Sequence, residues 1–149
     1  FAITGKTAAE IITNRASSKK DKMGLTSWRR SPQGKIMPSD TVIAKNYLDK
    51  KEIEHLNRIG NMYLDYAEMQ AARGKAMTMK GWVKKLNAFL EFSEYEILTN
   101  AGKISHEVAE TLALEEYEKF RKVQDKNYIS DFDREVKQLL GSKKKTKNN

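Results

Sequence analysis

The stretch Asp49–Gly74, DKKEIEHLNRIGNMYLDYAEMQAARG, constrains the fold more than any other part of the chain. Asp49 followed three residues later by Glu52 is a capping box, in which side chains satisfy the first free N–H groups of a helix. Ile53, Leu56, Gly60, Tyr63, Ala67 and Gln70 recur at spacings of three and four, giving a mostly apolar face over about six turns. Gly74 falls where a left-handed residue ends a helix. At ~1.5 Å per residue such a helix is about 36 Å long, close to the diameter of a small domain. The spacing predicts a long central helix over about residues 50–73, with the rest of the chain packed around it.

Similar signals recur on both sides. Thr7 and Glu10 form a second capping box, opening a short helix to about Arg15. Ser39 or Asp40 caps a helix carrying Val42, Ile43, Tyr47 and Leu48. Thr78 precedes a helix to about Phe92 with Trp82, Leu86 and Leu90 on one face, and Glu94–Thr99 reads as a shorter helical piece. Ser105 caps a helix whose inner side holds Val108, Ala109, Leu112, Ala113, Tyr117, Phe120 and Val123. Ser130 starts a last helix with Phe132, Val136, Leu139 and Leu140, stopped by Gly141. No stretch alternates with period two, and no hairpin turn separates β-rich runs. The fold class is therefore all-α: a single-domain bundle of roughly six or seven helices over residues 1–141, followed by a lysine-rich flexible tail at 142–149.

Residues 16–39 are the exception. They hold both prolines and show no sustained period, so they form an irregular basic arm. Met23, Leu25, Trp28, Ile36 and Met37 predict partial packing of this arm against the body.

Charge is concentrated at the ends. Residues 1–40 carry eight Lys/Arg against three acids, residues 41–141 carry sixteen against seventeen, and the tail adds four lysines to a net charge of +8. A terminal lysine run is ordinarily a solvated tail, so basicity alone does not make this a nucleic-acid-binding protein. Zero cysteines exclude a disulfide framework, thiol catalysis and thiolate metal sites. No apolar run approaches the ~20 residues that span a bilayer. With no secretory signal either, the expected location is the cytoplasm, with secretion left open. The chain opens at Phe1 without a methionine and reads as a piece of something longer.

Candidate chemistry is sparse. Gly5–Lys6–Thr7 matches the end of a phosphate-binding loop, but no strand precedes it and no acidic strand end follows to hold magnesium. His106–Glu107–Val108–Ala109–Glu110 lacks the second histidine of a zinc helix. No catalytic residue, metal ligand or cofactor is therefore assigned, and with only two histidines the balance leans away from an enzyme. Lys19, Lys20, Lys22, Trp28, Arg29, Arg30 and Lys35 form the best nucleic-acid-binding candidate, since lysines neutralise phosphates and an interleaved aromatic can stack on a base. The competing view is a solubilised loop whose tryptophan points inward. Asp65 and Glu68, three apart, belong either to a solvated helix face or to a buried polar network with Lys6 or Lys45.

The strings GKTAAEIITNRA, KMGLT, SDTVIAKNYLDKKEIEHLNRI, MYLDYAEMQA, AMTMKGWVKKLNAFL, EILTNAGKISHEVAE and EEYEKFRKVQDK, in this order, resemble the C-terminal region of the RhuM family of bacterial virulence-associated proteins. The likeness extends to about Leu140. It implies that longer members place a region similar to a winged or helix-turn-helix DNA-binding domain before this helical part, and it carries over no activity. Among the matched residues Thr7, Glu10, Arg15, Asp40, Lys45, Asn46, Asp65 and Glu68 are polar-site candidates, should they converge between the first helix, the Asp40 helix and the central helix. Two classes of function follow. One is a non-enzymatic interaction or oligomerisation module of a DNA-linked regulator, with a protein partner or a second copy of itself as a homodimer. The other is an enzyme or ligand-binding domain built on Glu10, Arg15, Lys45 and Asp65. Nucleic acid enters through an absent N-terminal domain or through the basic arm, and no membrane partner is expected.

Overall fold

Helix α1 (Ala8–Arg15) lies at the centre of the fold. In the computed structural model, which describes residues 1–129 together with 132, 133 and 136, α1 begins at the predicted capping box. Glu10 N–H donates to Thr7 Oγ1 at 3.3 Å, and Thr7 N–H donates to Glu10 Oε2 at 2.9 Å. Isolated helices shorter than about 12–15 residues are marginal in water, so an eight-residue helix depends on what covers it. Ala9, Ile11 and Ile12 are buried against α5 (His106–Asn127), on which Ala109, Ala113 and Tyr117 follow at spacing four. Both alanines are completely buried. Having nothing beyond Cβ, they let the α1 backbone approach closely. Ser105 caps α5 as predicted, accepting from Val108 N–H at 3.3 Å.

The arm at 16–39 forms another wall of this core. Met23, Leu25, Trp28 and Ile36 are buried as expected, whereas Met37 is exposed. An irregular segment has no ladder to satisfy its backbone, so side chains of α5 take over that role. Gln124 accepts from Ile36 N–H at 2.8 Å and donates to the Ile36 carbonyl at 3.1 Å. Tyr117 Oη donates to the same carbonyl at 3.3 Å, and Ser18 N–H donates to Glu116 at 2.6 Å. The Trp28 indole N–H donates to the Gly34 carbonyl at 2.7 Å.

The helix predicted from Ser39 or Asp40 through Leu48 is broken into α2 (Pro38–Thr41) and a separate 3-10 turn, Ala44–Tyr47. Other groups have captured the carbonyls that a continuous helix would use. Asn46 Nδ2 donates to Asp40 O and Tyr47 Oη to Thr41 O, both at 2.8 Å. Thr26 N–H donates to Asn46 O, Thr26 Oγ1 to Leu48 O, and Arg15 Nη1 to Tyr47 O.

Helices α3 (Lys50–Ala72) and α4 (Met79–Phe92) lie within a residue or two of their predicted bounds, capped by Asp49 and Thr78. The position of α3 differs from expectation: it is not central. Every buried hydrophobic residue falls in 9–48 or 109–117, and the span 49–108 buries only Gln70. Ile53, in the first turn of α3, packs against the core. Farther along, α3 meets α4 through Tyr63, whose hydroxyl donates to the Trp82 carbonyl at 2.5 Å, with edge-on contacts of Tyr63 and Tyr66 to the Trp82 ring. Glu94–Thr99 is not helical; Glu94 takes a φ of 60°, which no α-helix accepts. Among the described residues there are five complete α-helices, two 3-10 turns and no strand, so the all-α class holds while the count of six or seven helices is not reached over the part described. Phe132, Asp133 and Val136 are helical. The remainder of the predicted Ser130–Gly141 helix and the 142–149 tail lie outside the described residues.

Candidate functional site

The tightest polar contact joins α1 to the start of α3. Arg15 sits in the last turn of α1 and sends two parallel bonds of 2.6 Å to the Glu52 carboxylate, Nη1 to Oε2 and Nη2 to Oε1. The same guanidinium donates to the Tyr47 carbonyl at 2.7 Å. Glu52 also accepts from Asp49 N–H at 2.8 Å, so one carboxylate both caps α3 and clamps it to the core. The Arg15 guanidinium holds the Glu52 carboxyl well below the usual range, to about 2; burial opposes this shift and the Asp49 N–H adds to it. Sequence reading assigned Glu52 to the cap alone, and no local spacing signals its partner 37 positions upstream.

The eight polar-site candidates do not meet. Thr7 and Glu10 cap one another beside an open cavity of about 490 Å³ lined also by Gly5, Lys6, Asn14 and Lys103. Glu10 accepts from the backbone N–H of Thr7 and of Lys103, which lowers its pKa. That carboxylate occupies the start of α1, where a phosphate would otherwise bind, so Gly5–Lys6–Thr7 forms no phosphate cradle. Arg15 lies about 7.5 Å farther along the α1 axis and faces another side. Asp40 is buried as the α2 cap, accepting from Met37 and Arg29 N–H at 2.8 and 3.1 Å, with Asn46 bonded to its carbonyl. Lys45, Asp65 and Glu68 are exposed.

The basic candidates converge better. Lys19, Lys20, Lys22, Trp28 and Lys35 line one groove of about 540 Å³ between the arm and α5, while Arg29 and Arg30 lie outside it. Several of these groups are already engaged. Lys20 donates to the Arg15 carbonyl at 3.0 Å, and Lys35 pairs with Asp125 at 2.6 Å beneath the Tyr128 ring. Lys22 stands 5.7 Å over the Trp28 ring and 3.9 Å from Asp21. Trp28 itself is a core side chain, so it offers no open face for a base. On α5, Glu116 is held at about 2 by Lys119 and by the Ser18 N–H. His106 and Glu110 are an exposed pair 3.9 Å apart, and among the described residues no group of three His, Cys, Asp or Glu could hold a metal ion.

What remains is an exposed apolar set, of which sequence reading puts only Leu56 on the apolar face of the long helix. Leu56, Met62, Leu64 and Met69 of α3, and Met79, Val83 and Phe92 of α4, are exposed, Leu64 at 63% and Phe92 at 89%.

Helices packed by small residues, a side-chain-tethered arm and an exposed α3–α4 pair define an all-α fold. A sequence model of the Virulence protein RhuM family matches residues 1–129, and the chain belongs to that family. No curated protein and no solved structure matches it. No helix among the described residues is long and apolar enough to cross a membrane.

Proposed function

We propose that this chain is a non-enzymatic helical interaction and oligomerisation module of a virulence-associated, DNA-linked regulatory protein. The observation that carries this is the α3–α4 hairpin. It holds 37 residues in two helices and buries no hydrophobic side chain, yet its exposed residues include three methionines, two leucines, a valine and a phenylalanine. Exposed apolar side chains in this number mark partner sites, with Leu56 and Leu64 on one side of α3 and Met62 and Met69 on another. An enzymatic role is less favoured because Glu10, Arg15, Lys45 and Asp65 have separate surroundings. Nucleic-acid binding by the arm is less favoured because Trp28 serves the core.

A photo-reactive residue placed at position 64, and as a control at the exposed position 122 of α5, tests the module in living cells. Discrete protein adducts are expected from 64 and none from 122. Labelling at neither position, in a chain that is folded and abundant, would remove the basis for an interaction module.

A further inference from the structure

We infer that a second copy of this chain docks on α3, antiparallel to it and crossing at Gly60; this rests on the interaction-module reading and names its partner. Leu56, Gly60 and Leu64 occupy one row of the helix, with a leucine four residues away on each side of the glycine; Ile53 and Ala67 continue the row seven residues away, Ile53 already half-covered by the chain's own core. Under a two-fold axis at Gly60 the row meets itself, as an isologous interface requires. Leu56 and Leu64 are exposed in the single chain, at 37% and 63%.

Gly60 is the second observation. Glycine inside a helix is weaker than alanine, and no contact among the described residues repays it here. Beyond its own turns of helix, a Cβ built at Gly60 would meet no atom of the described residues within 4 Å. A missing side chain is useful where another backbone approaches, and a row at spacing four with glycine in the middle suits a close crossing of two helices.

Charge sets the direction. The first half of α3 carries Lys50, Lys51 and Arg58 against Glu54, which stands 4.0 Å from Lys50, and Glu52, already committed to Arg15, so it stays net basic; the second half carries Asp65 and Glu68 with no basic residue. Antiparallel pairing sets the basic half of each helix against the acidic half of the other and opposes the two helix dipoles. Parallel pairing would align like with like.

The purified full chain, free of native cysteine, allows a direct test. Light scattering over a tenfold concentration range is expected to give twice the 17.1 kDa chain mass. Gly60→Cys is expected to form a disulfide-linked dimer under mild oxidation. Leu56→Cys mixed with Leu64→Cys is expected to cross-link, and either alone to stay unlinked. Leu64→Lys alters an exposed side chain, so its helix content should match the parent while its dissociation constant rises at least about a hundredfold. A mass of 17.1 kDa at every concentration overturns the second copy and leaves the module to the adducts from position 64. A dimer linked 56 to 56 overturns the antiparallel sense, and one unaffected by Leu64→Lys overturns the surface.

Discussion

Replacing Glu52 with glutamine removes the charge of the clamp while leaving an oxygen to accept from Asp49 N–H, so the loss reports the Arg15 pair rather than the helix cap. A carboxyl lowered from 4.5 to about 2 corresponds to an upper figure of about 3 kcal/mol at neutral pH, taking ~1.36 kcal/mol per pKa unit. The side chains of Arg15 and Glu52 are 30% and 17% exposed, and screening by water reduces this to about 1.5–2 kcal/mol. For a chain near this length that is a fall in Tm of about 4–8 °C. The sign with pH follows from the direction of the shift. Because the folded pKa is depressed, the stabilisation is complete above the unfolded value of about 4.5 and is lost as pH falls through about 2. The gap between parent and Glu52→Gln should therefore be full at pH 7 and less than half as large by about pH 3. Urea denaturation at the two pH values measures it, and a cycle with Arg15→Met should return a coupling of at least about 1 kcal/mol at pH 7. A gap under about 0.5 kcal/mol at pH 7, or one of equal size at pH 3, would refute the clamp.

Two further perturbations probe the arm and the start of α1. Trp28→Ala should destabilise the chain by about 3–5 kcal/mol, and Trp28→Phe, which leaves the Gly34 carbonyl without its donor, by about 1–3 kcal/mol; denaturant midpoints rank the two. Gly102 has a φ of 81°, and a Cβ there would stand 2.7 Å from Thr7 Cγ2. Gly102→Ala should accordingly lose about 1–3 kcal/mol by the same assay, and an unchanged midpoint would contradict the close approach of that loop to the α1 cap.

The helix starts were legible in the sequence because capping is local. Thr7 with Glu10, Asp49 with Glu52, Thr78 and Ser105 each bond an N–H three residues away, and all four act as caps. What each helix faces was not legible. The period of α3 announces an apolar stripe, and the same stripe would be written for burial in one chain or between two. The break after Thr41 turns on the Asn46 and Tyr47 side chains, which take the Asp40 and Thr41 carbonyls, and the run into α3 is fixed by Thr26 and Arg15, whose bonds to the 46–48 backbone bridge 20 or more positions. Arg15 was singled out as a polar candidate, but beside Lys45 and Asp65; its partner Glu52 was hidden by the capping duty it also performs. The arm resolved in favour of the inward tryptophan because Gly34 supplies an acceptor for the indole.

The division of the core between residues 9–48 and 109–117 also sets a timetable for synthesis. When Leu48 leaves the ribosome, α1 and the arm have their apolar side chains but not the helix that covers them. At about 5–20 residues per second, Ala109 follows some 3–12 s later, and Tyr117 later still. Through that interval the α3–α4 pair, the part that owes least to the core, can form while the core still lacks its covering helix. The exposed pair is thus complete before the body that carries it closes.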